Sequence, residues 1–227
     1  MRKILVGLSV GVALLLGTVS AFAADGLGFG LTVSGVGISG SGTETEGGET
    51  NNGSSTNRLA IGSIFAEYTK GWFTLGLDYI PWDADISSKT KTRGDVETSV
   101  GTTNTHTSTS RTQSAQAEIA NHATAYVEVG SAVYVKAGVV QMTVNTQETL
   151  GTGSTYGNAE DVNGTLLGLG IKGDWGNNMF YKLEGTYTDY DNISITSGVA
   201  RGGVSPNNKI SADLDATQAK LAIGIRF

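Results

Sequence analysis

The sequence predicts an all-β fold, in which eight antiparallel strands close into an up-and-down barrel that crosses a membrane. Three observations predict it. Apolar and polar residues alternate with a period of two in eight stretches, no stretch after the N-terminal segment keeps helical periodicity, and long polar segments alternate with short turns between the stretches. The composition agrees, because 33 glycines and only two prolines suit tightly packed and strongly bent strands.

The first 23 residues have the features of a secretory signal peptide. Arg2 and Lys3 precede an apolar run over residues 4–19, which is shorter than the roughly 20 residues that a membrane-spanning helix needs. Ala21 and Ala23 provide the small side chains of a cleavage site. We therefore predict that residues 1–23 are removed and that residues 24–227 form one barrel domain. An uncleaved helical anchor is the alternative.

Composition excludes several classes of function. The chain contains no cysteine, so it has neither disulfides nor a lipid-anchored cysteine. Its net charge of −6 argues against nucleic acid as a partner. Residues 168–173 have the glycine spacing of a dinucleotide-binding loop, but that loop requires a following helix. We predict no cofactor and no metal.

Eight stretches carry the alternation, and they define the predicted strands. Between them the pattern predicts four long polar loops and three short turns, the turns at residues 69–71, 130–131 and 174–178. The segment 83–112 is too polar to bury anything, and is either an exposed loop or a hairpin that raises the strand count. The alternation also slips near Gln141 and Met142, which suggests a bulge there. The predicted strands are 27–34, 59–68, 72–82, 114–129, 132–144, 167–172, 181–187 and 218–227, and the predicted loops are 39–57, 83–112, 145–161 and 195–209.

The polar face of the strands carries charges of both signs in mid-strand. A soluble β-sandwich would leave such residues in water. The interior of an eight-stranded barrel is just wide enough for side chains to fill it, and opposite charges can pair there. The barrel is favoured because the apolar face has no second sheet or helix in the sequence to cover it. The predicted lumen charges are Glu67, Asp78, Glu118, Glu128, Lys136, Lys172, Lys182, Glu184, Lys220 and Arg226.

Aromatic residues gather near the ends of the predicted strands. One group falls on the side of the short turns and the other on the side of the long loops, as expected for rings at two membrane interfaces. The turn-side group is Phe29, Trp72, Phe73, Trp175, Tyr181 and Phe227, and the loop-side group is Tyr79, Trp82, Tyr187 and Tyr190.

The last strand alternates apolar residues and ends in phenylalanine, with Leu221, Ile223, Ile225 and Phe227 on one face. With the signal peptide, the eight strands and the polar loops, this ending resembles the small OmpA/OmpX-like and opacity-type outer-membrane barrels. The resemblance covers essentially all of residues 24–227. It implies a location in a Gram-negative outer membrane, contact with its lipid, and recognition of these four residues by the barrel-assembly machinery.

We expect a structural or surface-interaction role such as adhesion or recognition, exerted by a monomer through its polar loops on a ligand that the sequence does not name. A narrow pore for small solutes is the first alternative, although side chains should fill the lumen. A lipid-modifying membrane enzyme is the second. Catalysis is not expected, because the phase of the strand turns His122 inward and away from lipid.

Overall fold

The computed structural model describes residues 25–46, 49–85, 91–100, 106–149, 160–196 and 209–227. The predicted signal peptide lies outside these residues. Within the described residues the chain forms eleven strands, and no helix is long and apolar enough to cross a membrane. The strands are β1 Gly26–Glu46, β2 Glu49–Lys70, β3 Phe73–Tyr79, β4 Ala84–Asp85, β5 Lys91–Val100, β6 His106–Gly130, β7 Val133–Thr149, β8 Glu160–Trp175, β9 Met179–Tyr190, β10 Ile193–Thr196 and β11 Lys209–Arg226.

Eight of these strands form the wall of a closed antiparallel barrel. Their order is β1, β2, β3, β6, β7, β8, β9 and β11, and β11 pairs back with β1. At the seam Phe227 N–H donates to Leu27 O at 2.9 Å, and Leu27 N–H donates back to Phe227 O at 3.2 Å. Closure leaves no free sheet edge at this level of the wall. A strand in lipid must have no free edge, because lipid offers no hydrogen bonds to unpaired backbone groups. The predicted all-β, eight-stranded barrel is confirmed.

The other three strands extend the wall upward on the loop side. β4 and β5 pair with β6, and β10 pairs with β11. The segment 83–112 therefore holds a hairpin, one of the two predicted alternatives. That hairpin stands on β6 above β3, so it adds no member to the barrel and the strand count stays at eight.

The long polar segments contain more strand than the sequence predicts. The loop predicted at 39–57 is wrong, because β1 and β2 stay paired to their tip, where Glu46 lies opposite Glu49. β7 and β8 likewise extend into 145–161, and β10 and β11 into 195–209. A hairpin with water on both faces has no hydrophobic alternation, although threonine favours strands. Periodicity therefore missed strands that continue an existing ladder.

An apolar belt surrounds the outside of the barrel on the turn side. Along β3 the side chains alternate sharply, with Leu77 63% exposed and its neighbour Asp78 only 5% exposed. An exposed apolar surface that surrounds a chain fits contact with lipid rather than water. The belt comprises Leu27, Phe29, Leu31, Val33, Ile64, Phe73, Leu75, Leu77, Val129, Val133, Val135, Val139, Leu167, Leu169, Met179, Leu183, Leu221, Ile223 and Ile225.

Above the belt the apolar residues change sides. On β7, Val139 is 62% exposed, whereas the next apolar residues, Val140 and Met142, are buried. The strand keeps its period of two throughout, so the slip predicted near Gln141 and Met142 is a change of surroundings and not a bulge. Buried apolar residues of several strands meet there in one interior cluster, which comprises Val36, Ile38, Ile119, Met142, Val144, Val162, Ile193 and Ala216.

A bulge does lie at this level, but in the partner strand β6, where Ala120 pairs with Thr143 and Ala123 pairs with Gln141. The register between β6 and β7 shifts between Ala120 and Ala123, and Asn121 has a positive φ of 52°. One extra residue reverses the alternation above it. Ile119 is therefore buried inside the barrel, although the simple alternation placed it on the outer face.

Candidate functional site

The lower lumen gathers nine of the ten residues that the sequence predicts as lumen charges. Each is at most 8% exposed. We call these nine side chains the plug. A buried ion is costly unless it is paired, so the contacts within the plug decide whether the arrangement is stable. The plug consists of Glu67, Asp78, Glu128, Lys136, Lys172, Lys182, Glu184, Lys220 and Arg226.

Glu128 is the centre of the plug. Its side chain is fully buried, and Lys182 Nζ lies 2.8 Å from its Oε1 and 3.0 Å from its Oε2. Lys172 Nζ lies 3.3 Å from Oε2, and Lys136 Nζ lies 3.7 Å from Oε1. One carboxylate thus forms ion pairs with three ammonium groups, which come from three other strands.

Two further carboxylates complete the centre. Glu67 contacts Lys182, accepts a 3.0 Å hydrogen bond from Tyr126 OH, and lies 3.4 Å from an Arg226 nitrogen. Glu184 accepts two 3.0 Å hydrogen bonds from Lys136 Nζ and one of 2.7 Å from Tyr134 OH. A separate pair, Lys220 and Asp78 at 2.7 Å, lies higher in the lumen.

These contacts fix what the plug can do chemically. Its cations and carboxylates form ion pairs with one another. Its side chains are buried, and two of its carboxylates accept hydrogen bonds from tyrosines. An ion entering this part of the lumen would have to break buried pairs to pass. The arrangement therefore suits a rigid closure of the barrel.

Glu118, the tenth predicted lumen charge, is not brought into the plug. It lies on β6 above the bulge, where its neighbour Ile119 is the buried residue. Successive side chains of a strand point to opposite faces, so Glu118 belongs to the outer face at this level. The sequence analysis looks for a bulge on β7 and not on β6, and simple alternation along β6 therefore misplaces Glu118.

Four aromatic side chains that the sequence analysis did not single out also fill the lower lumen. Phe65, Tyr126, Tyr134 and Phe180 are 2–6% exposed, and each lies directly across from a glycine of the neighbouring strand. At each of the four glycines, an added Cβ would come within 2.3–2.5 Å of the facing ring. The rings therefore occupy the space that a side chain would need. The pairs are Gly30 with Phe65, Gly76 with Tyr126, Gly170 with Tyr134, and Gly224 with Phe180.

Above the plug lies a cavity of about 50 Å³, which we call the upper chamber. Half of its lining residues are apolar, among them Ile38, Ile61, Ile119 and Ala216, while Asp78, Lys136 and Lys220 of the plug reach it from below. Four polar side chains of the wall also line it, namely Thr124, Thr186, Thr188 and Gln218. His122 and Tyr190 belong to the same lining. Their Nε2 and OH atoms are 3.2 Å apart.

The predicted interface aromatics lie on the outside of the barrel, with one exception. Tyr190 is half-buried, packs against the interior cluster and contacts His122, so it does not belong to an outer ring. Tyr181 is half-buried. The other predicted aromatics, 40–73% exposed, are Phe29, Trp72, Phe73, Tyr79, Trp82, Trp175, Tyr187 and Phe227.

The four predicted assembly-signal residues lie on the outer face of β11. Leu221, Ile223 and Ile225 are 42–45% exposed and Phe227 is 73% exposed. They form a continuous apolar stripe beside the ladder that closes the barrel onto β1. The stripe is therefore accessible from the membrane side of the closing strand.

Comparison with solved structures agrees with this architecture. The outer membrane protein OprG from Pseudomonas aeruginosa superposes with a TM-score of 0.58 and 12% identity, over 92% of this chain and 99% of that one. The outer membrane protease OmpT from Escherichia coli superposes with a TM-score of 0.50 and 9% identity, over 93% and 99% of the two chains. No protein-family model and no curated protein matches the sequence. The chain thus has the fold of outer-membrane β-barrels.

Proposed function

We propose that this protein is a closed outer-membrane barrel that supports surface-interacting hairpins in a Gram-negative cell. The observation that carries the proposal is the plug, since nine buried charged side chains close the lumen beneath the upper chamber. The apolar belt supports a place in the bilayer, and the resemblance of the last strand supports insertion by the barrel-assembly machinery. Export through cleavage of residues 1–23 and a monomeric state belong to the same proposal.

The hairpin of β1 and β2 is the best candidate for the interacting part. It stays paired from the belt to Glu46 and Glu49, and its upper residues are mostly serine, threonine, asparagine and glycine. The 12 residues from Gly35 to Glu46 span about 40 Å along the strand at roughly 3.3 Å per residue. A polar ribbon of this length presents hydrogen-bonding groups well away from the lipid.

Shortening this hairpin tests the surface role. Deleting residues 43–52 joins Gly42 to Gly53, which face each other in the ladder, and Gly-Gly is suited to a two-residue hairpin turn. We expect cells with the shortened protein to lose most of their binding to wells coated with matrix proteins or glycans. The shortened barrel should still migrate faster in SDS gels before boiling than after. Equal binding by full-length and shortened proteins would contradict the surface role of this hairpin.

The pore alternative makes a different prediction about current. In planar bilayers we expect no single-channel steps from the parent protein, because the plug fills the lower lumen. Replacing Lys182 and Glu128 together by alanine removes the central ion pair and should produce discrete steps. Replacing Lys209 and Glu160 at the rim by alanine is the matched control and should leave the bilayer silent. Steps from the parent as large as those of the plug variant would favour the pore.

A lipid-modifying enzyme receives less support. His122 is hydrogen-bonded to Tyr190 and lies inside the barrel wall rather than toward lipid. OmpT is a protease by name, but a similarity at 9% identity concerns the fold alone. Release of fatty acid from labelled phospholipid by the purified protein would be required to favour this alternative.

A further inference from the structure

The wall of the barrel is incomplete beside the upper chamber. β2 pairs with β3 only from Ile64 to Lys70, and among the described residues no ladder joins Leu59–Ser63 of β2 to β4 or β5. On its other side the same stretch of β2 is paired with β1. A seam therefore opens between β2 and the segment that follows β3, just above the apolar belt.

The indole of Trp82 covers this seam. Its ring lies against Gly62 of β2, where an added Cβ would come within 3.1 Å of Trp82 Cζ2. Trp82 is 55% exposed and also lines the upper chamber. The same ring thus has one side toward the outside and another toward the chamber, and it follows a short irregular stretch, Ile80–Asp83, that belongs to no strand.

The lining of the chamber specifies the chemistry of an occupant. Half of the residues that line the chamber are apolar, with Ile38, Ile61 and Ile119 among them, and this part of the wall suits an apolar body. His122 Nδ1 is buried and, within the described residues, meets no hydrogen-bonding partner. A buried polar atom of this kind gains most from a guest that offers one hydrogen bond.

We propose that the upper chamber is a binding site for a small aromatic molecule with one hydroxyl group, which enters through the seam when Trp82 swings aside. A cavity of about 50 Å³ holds only a few waters on the scale where one water needs about 10–15 Å³. An aromatic ring fits once the indole has left its place, because the two are of similar size. The hydroxyl then pairs with His122 Nδ1, and the plug below keeps the guest from crossing the barrel. The site goes beyond the surface role and does not depend on it.

The test uses Trp82 as its own reporter. Replacing Trp72 and Trp175 by phenylalanine leaves Trp82 as the single tryptophan, since the chain has three. This protein is placed in lipid nanodiscs and titrated with 4-bromophenol, whose bromine quenches tryptophan on contact. We expect saturable quenching that an excess of phenol reverses. Bromobenzene, which lacks the hydroxyl, should bind at least fivefold more weakly.

Two variants on β11 separate the chamber from the lipid. Ala216 is buried and lines the chamber, so Ala216→Phe should weaken 4-bromophenol binding at least tenfold. Ala219 faces outward on the same strand, and Ala219→Phe should leave it unchanged. Quenching that rises linearly without saturation, or that is equal in both variants, would overturn the proposal. If Ala216→Phe fails to fold, phenol competition on the parent decides alone, and quenching that phenol does not reverse refutes the site.

Discussion

Replacing Glu128 by glutamine is expected to lower the free energy of unfolding by about 3–5 kcal/mol, the range for breaking a buried ion pair from one side. Glu128 is fully buried and contacts Lys136, Lys172 and Lys182. Glutamine keeps the shape of the side chain but removes its charge. Three ammonium groups would then share the two remaining carboxylates of the centre, with little water to screen them.

The measurement is urea unfolding of the folded protein in detergent micelles, followed by tryptophan fluorescence. Glu160→Gln is the matched control, because Glu160 is half-exposed at the start of β8, and exposed sites of this kind change stability by about 0.5 kcal/mol or less. Equal losses from the two substitutions would show that the plug contributes no more than a surface charge.

A double substitution tests the charge argument directly. Lys172 contacts Glu128 at 3.3 Å and Thr74 at 3.1 Å, so Lys172→Gln in the Glu128→Gln protein restores the charge balance of the plug. We expect the double variant to be more stable than Glu128→Gln alone, a coupling that neighbouring residues show. Additive losses would mean that shape, and not charge, explains the effect of Glu128→Gln.

The residues of the plug could be predicted from the sequence, but their pairing could not. Alternation places a charge opposite the apolar face whatever its partner is. Lys220 and Asp78, however, are 142 positions apart in the chain and meet across the lumen. Their contact depends on the tilt and register of all eight strands, which no local pattern encodes. The same limit applies to Glu118, whose face depends on a bulge at Asn121.

The upper chamber was missed for a different reason. Val139, Val140 and Met142 do signal it, because the apolar residues of β7 move from the outer to the inner face within a few positions. The sequence does not give the height of each residue along the barrel, so this pattern looks like a slip in the strand. When the height of each residue along the barrel is known, the same pattern marks the level at which the outside of the barrel passes from lipid to water. Above that level the apolar residues of the strand lie on its inner face. The hairpin above, polar on both faces, carries no such signal.

The aromatic and glycine pairs of the lower lumen were visible as residues but not as pairs. Gly224 alternates correctly on β11, and Phe180 stands beside the predicted turn. No local sequence pattern indicates that Phe180 lies over Gly224, because their pairing follows from the register of β9 against β11. Bending of the strands explains the abundance of glycine in general, and at these four positions the structure adds a second cause, which is room for a ring.

Gly224→Ala should therefore destabilise the barrel by about 1–3 kcal/mol, the range for forcing an extra group into a packed interior. The new Cβ would lie 2.5 Å from Phe180 Cζ and 2.9 Å from the backbone oxygen of Phe29. Phe180 has little freedom to yield. Its ring is packed edge to face against Phe65 at 6.0 Å, and the Arg226 guanidinium lies 4.3 Å from its centre.

Gly35→Ala is the matched control, since nothing lies within 4 Å of the Cβ that it would add to β1. That substitution should be neutral or slightly stabilising, because alanine restricts the unfolded chain more than glycine does. Both variants are compared with the parent by urea unfolding in micelles. A loss at Gly35 as large as that at Gly224 would mean that strand flexibility, and not the ring, is what these glycines provide.

The partner ring supplies the decisive comparison. Phe180→Leu alone should be destabilising, because a large buried side chain becomes smaller. If the ring is what excludes a side chain at Gly224, then leucine at position 180 leaves room for the new methyl group. Adding Gly224→Ala to Phe180→Leu should then cost clearly less than adding it to the parent. The same cost in both backgrounds would place the strain at the Phe29 backbone oxygen rather than at the Phe180 ring.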